Sequence, residues 1–124
     1  MRNEGSRVGE VKYYIILKTR RCYKLFTDQT SELAEEIIRR HIESSGYRLD
    51  AIQTRGHVAY FEVVTNDFSL SPASIVNQIR KCSGILIKEI PEMSHLPNIW
   101  QSGFFLSTKN PTKKELLDYI IYEE

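Results

Sequence analysis

The sequence predicts an α+β domain in which helices cover one face of an antiparallel sheet. The first observation behind this prediction is the order of patterned segments along the 124 residues, namely strand, helix, strand, strand, helix, strand, helix. A β-α-β-β-α-β order is typical of the ferredoxin-like plan, and here one further helix follows it. The second is composition, since 41% hydrophobic and 27% charged residues are ordinary for a globular domain. No repeat or linker interrupts the pattern. We therefore expect a flexible tail over residues 1–10 and a single domain over residues 11–124.

The first half of the chain supplies three strands and a helix. Residues 11–17 are β-rich and predict the first strand, and residues 31–45 carry apolar side chains at helical spacing. Gly46 follows that helix, where a left-handed residue commonly ends one. Residues 47–54 predict the second strand and residues 57–65 the third, with a tight connection at Gly56.

The third strand is the most strand-like run and contains His57 at its start. Period-two alternation sorts it into two faces, His57/Ala59/Phe61/Val63 and Val58/Tyr60/Glu62/Val64. Both faces are largely apolar, as expected of a central strand that is covered on both sides. The second face of the sheet then needs a cover, which could be another subunit, the last helix or nucleic acid.

The second half predicts two more helices and a strand. Ser71 as N-cap and Pro72 at the first helical position open a helix that we expect to continue to Pro91. Its buried stripe is expected to contain Ile75, Ile79, Cys82 and Leu86. Residues 104–108 predict the fourth strand.

The last helix opens with a capping box formed by Thr112 and Glu115. Its apolar face is expected to contain Leu116, Leu117, Ile120 and Ile121. At 100° per residue, Tyr119 points away from the centre of that face, and Glu123 stands beside it one turn later.

Several functional classes are excluded or disfavoured. No apolar run approaches the roughly 20 residues that span a bilayer, and the polar N-terminus lacks the apolar segment of a signal peptide. Cys22 and Cys82 have no metal-type spacing, so we expect reduced thiols in a cytoplasmic protein. With a net charge of +1, a nucleic-acid-binding protein must concentrate its basic residues locally.

A basic cluster with an embedded tyrosine follows the first strand, at residues 18–24. It fits either a solvated turn or a patch that contacts phosphates, because Lys and Arg supply most non-specific affinity for nucleic acid. The candidate DNA-binding residues are Lys18, Arg20, Arg21, Lys24, Arg80 and Lys81. The aromatic residues near the fourth strand, Trp100, Phe104 and Phe105, favour core or dimer packing over base stacking.

Four stretches resemble the single-tyrosine HUH transposases, which move insertion sequences as single-stranded DNA. Tyr13-Tyr-Ile-Ile-Leu-Lys-Thr-Arg-Arg-Cys-Tyr-Lys-Leu-Phe26 is similar to the opening strand and basic turn of that family. Gly56-His-Val-Ala-Tyr-Phe61 occupies the place of its Asp-His-hydrophobic-His strand. Trp100-Gln-Ser-Gly-Phe-Phe-Leu-Ser-Thr108 is similar to its Trp-Ser-x-x-Tyr-Phe-x-x-Thr segment. Asp118-Tyr-Ile-Ile-Tyr-Glu123 matches the helix that bears the catalytic tyrosine.

The resemblance implies a mechanism and partners. Two histidines and a polar residue of the tyrosine helix would hold Mg²⁺ or Mn²⁺ against the scissile phosphate, and the tyrosine would attack to give a 5′-phosphotyrosine. Members of the family are dimers and recognise hairpins near the ends of the element. Carried over by position, Tyr119 is the nucleophile, His57 the first metal ligand, and Glu123 replaces the glutamine of the tyrosine helix.

The second metal ligand falls on Ala59, which has no lone pair to offer. The resemblance therefore leaves three hypotheses. In the first, which we prefer, the protein binds single-stranded or hairpin DNA as a homodimer, with cleavage weakened or lost and no cofactor needed. In the second, it is an active metal-dependent transposase or endonuclease that uses Tyr119. In the third, it is a ferredoxin-like regulatory or RNA-binding module.

Alternatives also remain for the two site residues. His57 could be a partly buried histidine that bonds to backbone or to Tyr119, and Tyr119 could be an exposed side chain at a dimer or helix contact. We expect the substitution Ala59→His to increase divalent-metal binding if residue 59 lies beside His57.

Overall fold

A four-stranded antiparallel sheet forms the centre of the protein in a computed structural model that describes residues 9–66 and 71–121. The side chains of residues 120 and 121 are not described. The strands are β1 (Val11–Lys18), β2 (Arg48–Arg55), β3 (Val58–Thr65) and β4 (Phe105–Ser107). The helices are α1 (Ser31–Ser44), α2 (Pro72–Arg80), α3 (Ser83–Glu89) and α4 (Lys113–Ile121).

The strand order across the sheet is β2-β3-β1-β4, and every neighbouring pair is antiparallel. The two central strands, β1 and β3, pair along their whole length, from Val11 opposite Thr65 to Lys18 opposite Val58. The predicted α+β fold, with β-α-β-β-α-β order and an added C-terminal helix, is confirmed. The predicted tail at residues 1–10 lies almost wholly outside the described residues.

The first face of the sheet contributes to the hydrophobic core under α1, α2 and α3. Alternate residues of the central strands are fully buried there, among them Ile15, Leu17, Ala59 and Phe61. The predicted stripe of the second helical region joins the same cluster and contains Ile75, Ile79, Cys82 and Leu86. Burial of apolar surface at about 25 cal/mol per Å² is the main stabilisation that this layer contributes.

The second helical region is not the continuous helix that we predicted. It breaks at Lys81 and Cys82 into α2 and α3. The backbone N–H of Cys82 donates to the carbonyl of Ile79, a tighter turn than that of an α-helix. Gly84 follows within the first turn of α3, and glycine costs about 1 kcal/mol in a helix relative to alanine. No helix in the described ranges is long and apolar enough to cross a membrane.

The helix ends follow the sequence signals. Gly46 has a φ of 98° after α1, and the side chain of Ser71 accepts a hydrogen bond from the N–H of Ser74 at the start of α2. The N–H of Thr112 donates to the Glu115 carboxylate at 2.8 Å, and the N–H of Glu115 donates to the Thr112 hydroxyl at 3.1 Å. This reciprocal pair is the predicted capping box, and it fixes where α4 begins.

The second face of the sheet is covered in part by α4. Its Leu116 lines a cavity with Ile16 of β1, and the Tyr119 ring lies 5.8 Å from the ring of Phe105. The predicted orientation of α4 is wrong in one respect, because Leu117 is 47% exposed whereas Leu116 and Tyr119 are half-buried. Residues three apart share a helix face, so Leu116 and Tyr119 together face the sheet.

His57 lies in a two-residue turn between β2 and β3 and not in the strand itself. Arg55 pairs with Val58, which leaves Gly56 and His57 as the turn residues. Gly56 has a φ of 62°, a conformation that glycine adopts without steric cost at the first position of such turns. The prediction that His57 shares a strand face with Ala59 is therefore wrong.

Candidate nucleic-acid site at the basic end of the sheet

The segment after β1 is hydrogen-bonded to the turn that carries His57. The N–H of Thr19 donates to the His57 carbonyl at 2.9 Å. Phe26 and Gly56 exchange two backbone hydrogen bonds of 3.0 and 2.8 Å. These bonds close residues 19–26 into a loop against the β2–β3 turn, so the basic cluster and His57 occupy the same end of the sheet.

The loop that carries the basic cluster has an unusual backbone conformation. A single 3₁₀ turn spans Arg20–Cys22, and both Arg21 and Cys22 have positive φ values, 52° and 54°. Residues other than glycine rarely adopt this left-handed backbone conformation. Arg21 and Lys24 are exposed and Arg20 is half-buried. Three of the six predicted DNA-binding residues, Arg20, Arg21 and Lys24, thus lie together in one loop.

Arg55 belongs to the same surface. It is exposed at the end of β2 and lines the cavity that His57 also lines. We refer to Arg20, Arg21, Lys24 and Arg55 as the basic end of the sheet. Sequence reasoning missed Arg55, although its position directly before Gly56-His57 is a signal that could have identified it.

Lys18 is buried beneath α4 and does not offer its ammonium group to solvent. Only 1% of the residue is exposed. Its Nζ donates to the Tyr119 carbonyl at 3.1 Å and lies 4.6 Å from the centre of the Tyr119 ring. A cation over an aromatic face is attracted by the ring, more strongly when desolvated. The predicted phosphate contact of Lys18 is not available in this conformation, and Lys18 instead anchors the tyrosine helix.

Arg80 is also used within the chain. Its Nη2 donates to the carbonyls of Gln101, Ser102 and Gly103 at 3.0, 2.6 and 2.9 Å, and its guanidinium lies 5.6 Å from the Phe104 ring. Burial lowers the pKa of Arg80, and the nearby Tyr119 opposes this effect. Arg80 therefore fixes the loop before β4, while its neighbour Lys81 is exposed.

A cavity of about 520 Å³ lies between the second face of the sheet and α4. Its lining comprises Ile16, Gln53, Arg55, His57, Val58, Tyr60 and Leu116. The Nε2 atom of His57 is buried and has no hydrogen-bond partner within the described part of the chain. An unpaired buried nitrogen is uncommon, so a ligand group or water is expected to satisfy it.

The described residues do not form a site for the metal that the resemblance implies. The side chain of Ala59 is fully buried in the core on the first face, whereas the cavity lined by His57 is on the second face. Across residues 9–66 and 71–121, no group of three or more His, Cys, Asp or Glu side chains could hold a metal ion. Glu123 lies outside the described residues. His57 is the one predicted ligand whose position is described, and a single imidazole is a poor site for Mg²⁺ or Mn²⁺.

Tyr60 lines one side of this cavity and is hydrogen-bonded to a charged pair, Glu62 and Lys12. Its hydroxyl donates to Glu62 at 2.6 Å, and Lys12 lies 2.9 Å from the same carboxylate. Burial alone would raise the pKa of Glu62, but the hydrogen bonds from Lys12 and Tyr60 outweigh it and lower the pKa. Burial and the bond to Glu62 raise the pKa of Tyr60. Tyr60 is thus held as a neutral donor.

The aromatic residues before β4 divide between core and surface. Trp100 is 7% exposed and packs against Phe26 with ring centres 6.0 Å apart, so of the two predicted roles, core and dimer packing, it has the core role. Phe105 is half-buried against Tyr119, and Phe104 is 38% exposed beside Arg80.

Comparison with known proteins identifies the family of the chain and agrees with its fold. A family model described as "Transposase IS200 like" matches residues 7–123. A protein from Deinococcus radiodurans R1 that is assigned as a transposase superposes with a TM-score of 0.80 at 16% identity. That superposition covers 97% of this chain and 95% of the other, and it shows the shared fold.

A REP-associated tyrosine transposase, whose structure contains a bound REP hairpin, superposes with a TM-score of 0.48 at 20% identity, over 94% of this chain and 68% of that chain. A search of curated protein sequences finds no match.

Proposed function

This chain belongs to the IS200-like transposase family, and from that premise we propose that it binds single-stranded or hairpin DNA at the basic end of the sheet. We further propose that cleavage and joining through Tyr119 are weakened or lost. The observation that carries the proposal is the hydrogen-bonded closure of the basic loop onto the His57 turn. It brings a group of exposed cations to the place where the catalytic motif of the family falls.

The chemistry of the basic end suits the backbone of a nucleic acid. Arg20, Arg21, Lys24 and Arg55 can each neutralise a phosphate, and arginine does so with two parallel hydrogen bonds. Such contacts release counterions, so the logarithm of the affinity falls with the logarithm of the salt concentration. Four contacts to a single strand correspond to a slope of about −3.

The state of the catalytic groups is the reason to propose reduced cleavage. When bound, a divalent metal would polarise the phosphate, but the described donors do not form a site for it. Tyr119 is half-buried, with its ring over the ammonium of Lys18 and beside Phe105. Its side chain contributes to the packing of α4 against the sheet, and this structural role does not require catalytic activity.

A fluorescence anisotropy titration with a labelled hairpin tests the binding proposal. Arg21→Ala/Lys24→Ala is expected to weaken binding and reduce the salt slope by about 1.4, because two phosphate contacts are removed. The matched control is Arg40→Ala/Lys88→Ala, which removes the same charge from exposed positions of α1 and α3. Equal losses in both double variants would show that net charge, and not the basic end, determines binding.

An active transposase is the second candidate function. The buried His57 Nε2 without a partner in the described chain favours it, since a ligand group would satisfy that nitrogen. A covalent DNA adduct that Tyr119→Phe abolishes would establish this candidate over reduced cleavage.

We also propose that the protein is a homodimer. The two outer strands of the sheet are β2 and β4, and each has an outer edge that a second copy could pair with or cover. Sedimentation equilibrium tests this part, and a single monomeric species at tens of micromolar would contradict it.

A further inference from the structure

A second cavity lies between the α2–α3 junction and the loop before β4. Its volume is about 400 Å³, and its lining comprises Arg80, Ser83, Asn98, Trp100, Gln101 and Ser102. Five of these side chains are polar or charged and none is a carboxylate. The cavity shares no lining residue with the one that His57 lines, and it has no role in the proposed function.

Unsatisfied polar atoms are concentrated around this cavity. Four buried side-chain nitrogen or oxygen atoms have no hydrogen-bond partner within the described ranges, and three of them are Arg80 Nε, Trp100 Nε1 and Gln101 Oε1. The Trp100 indole N–H is directed at the Cys82 thiol, where it partly offsets the rise in pKa that burial causes, which leaves Arg80 Nε and Gln101 Oε1 without a partner. Buried polar groups are normally satisfied, and two that remain at one cavity indicate the place of a polar ligand.

Arg80 supplies a positive charge that has no counter-ion in the described part of the chain. Its hydrogen bonds go to three main-chain carbonyls, which are neutral, and Phe104 covers one face of the guanidinium. These contacts hold the side chain rigid while Nε stays unpaired. A rigid, partly desolvated guanidinium with a free N–H favours an anionic ligand.

The remaining polar groups can all donate to such an anion. The Gln101 Nε2 now donates to the Cys22 sulfur at 3.2 Å. Rotation of the amide by half a turn would direct its NH₂ into the cavity and leave its oxygen as the acceptor for the thiol proton. The hydroxyl groups of Ser83 and Ser102 provide two further donors.

We propose that this cavity binds a phosphate group, and that in the DNA complex the group is a phosphodiester of the bound strand. The second half of the proposal rests on the proposed function. Gln101 contacts Cys22, and the N–H of Arg20 donates to the Ile99 carbonyl at 2.7 Å, so the cavity adjoins the basic loop. A strand held by Arg20 and Arg21 continues from there toward Arg80.

Titration of the full-length protein with inorganic phosphate, followed by amide NMR, tests the site itself. Saturable shifts are expected at residues 100–103 in the wild type. Ser102→Phe fills the cavity mouth without changing charge and should weaken phosphate binding about tenfold or more through loss of the donors. Lys88→Ala removes an exposed cation of α3 and should leave the affinity within about twofold, because Lys88 does not line this cavity. Circular dichroism checks that each variant is folded. Absence of saturable shifts, or equal affinity in the Ser102→Phe protein, overturns the proposal.

Hairpin DNA separates the two sources of the phosphate. If the group belongs to the DNA backbone, inorganic phosphate competes with the hairpin and Ser102→Phe weakens hairpin binding by a similar factor. If Ser102→Phe loses phosphate binding but binds the hairpin as tightly as the wild type, the DNA assignment is overturned. The ligand of the cavity would then be a free phosphate compound. The double variant of Arg21 and Lys24 reports on the proposed function independently, since neither residue lines this cavity.

Discussion

Replacement of Ala59 by histidine is expected to destabilise the protein and not to build a metal site. The side chain of Ala59 is fully buried and packs in the cluster that contains Leu17 and Phe61. Forcing a ring into a well-packed core costs about 1–3 kcal/mol. Burying an imidazole without a hydrogen-bond partner adds about 1–3 kcal/mol. The expected loss is therefore about 2–6 kcal/mol, out of the roughly 5–15 kcal/mol that stabilises a typical domain.

Thermal unfolding followed by circular dichroism measures this loss, and calorimetric titration with Mn²⁺ measures metal binding. For a domain of this size a cost of about 4 kcal/mol lowers Tm by roughly 12–20 °C. Val58→His is the matched control, because residue 58 is half-buried and lines the same cavity as His57. An Ala59→His protein that keeps its Tm and binds Mn²⁺ more tightly than the wild type would refute the placement of residue 59 in the core.

Three further predictions concern the ion network, α4 and the thiols. Hydrogen bonds from Arg48 lower the pKa of Asp50 below 3.8, and those from Lys12 and Tyr60 lower the pKa of Glu62 below 4.5 despite burial. The stability that these carboxylates contribute is present above those values and is lost as the pH falls through the lower folded-state pKa. Urea unfolding between about pH 5 and 3 should therefore depend less on pH in Glu62→Gln than in the wild type; an unchanged profile would exclude Glu62 from the acid response. Thr112→Ala removes one half of the capping box and should cost about 0.5–2 kcal/mol, measured by the same unfolding method, with Thr108→Ala as an exposed control. Burial raises the pKa of Cys82 to about 12, so a thiol reagent should modify only Cys22 in the folded protein; modification of both cysteines at one rate would contradict the buried position of Cys82.

The strands, the helix ends and the core were predictable because local patterns determine them. Period-two alternation identified Ala59, Phe61 and Val63 as one face, and the capping box located the start of α4. Such signals depend on neighbours in sequence, and a single sequence displays them directly. The same holds for the basic turn, whose residues are contiguous.

The candidate site was only partly predictable because tertiary contacts assemble it. Because Arg55 pairs with Val58, His57 lies in the turn and not in the predicted strand, and it lines the cavity on the second face. Docking of α4 then buried Lys18 beneath Tyr119, so a lysine that looked like a DNA contact became an anchor. Arg80 donates from Nη2 to a loop more than twenty residues away, which leaves its unpaired Nε for the proposed phosphate. Charge and spacing do not reveal such partners before the fold is known.

The most direct test of reduced cleavage is the covalent adduct with DNA. The protein is incubated with labelled single-stranded and hairpin DNA in the presence of Mn²⁺ and then separated on a denaturing gel. We expect the DNA to be retained under native conditions, while the denaturing gel shows little or no labelled protein for the wild type and none for Tyr119→Phe. A labelled covalent species in the wild type that Tyr119→Phe removes, in an amount comparable to the retained DNA, would contradict this expectation and would show that Tyr119 still acts as an efficient nucleophile.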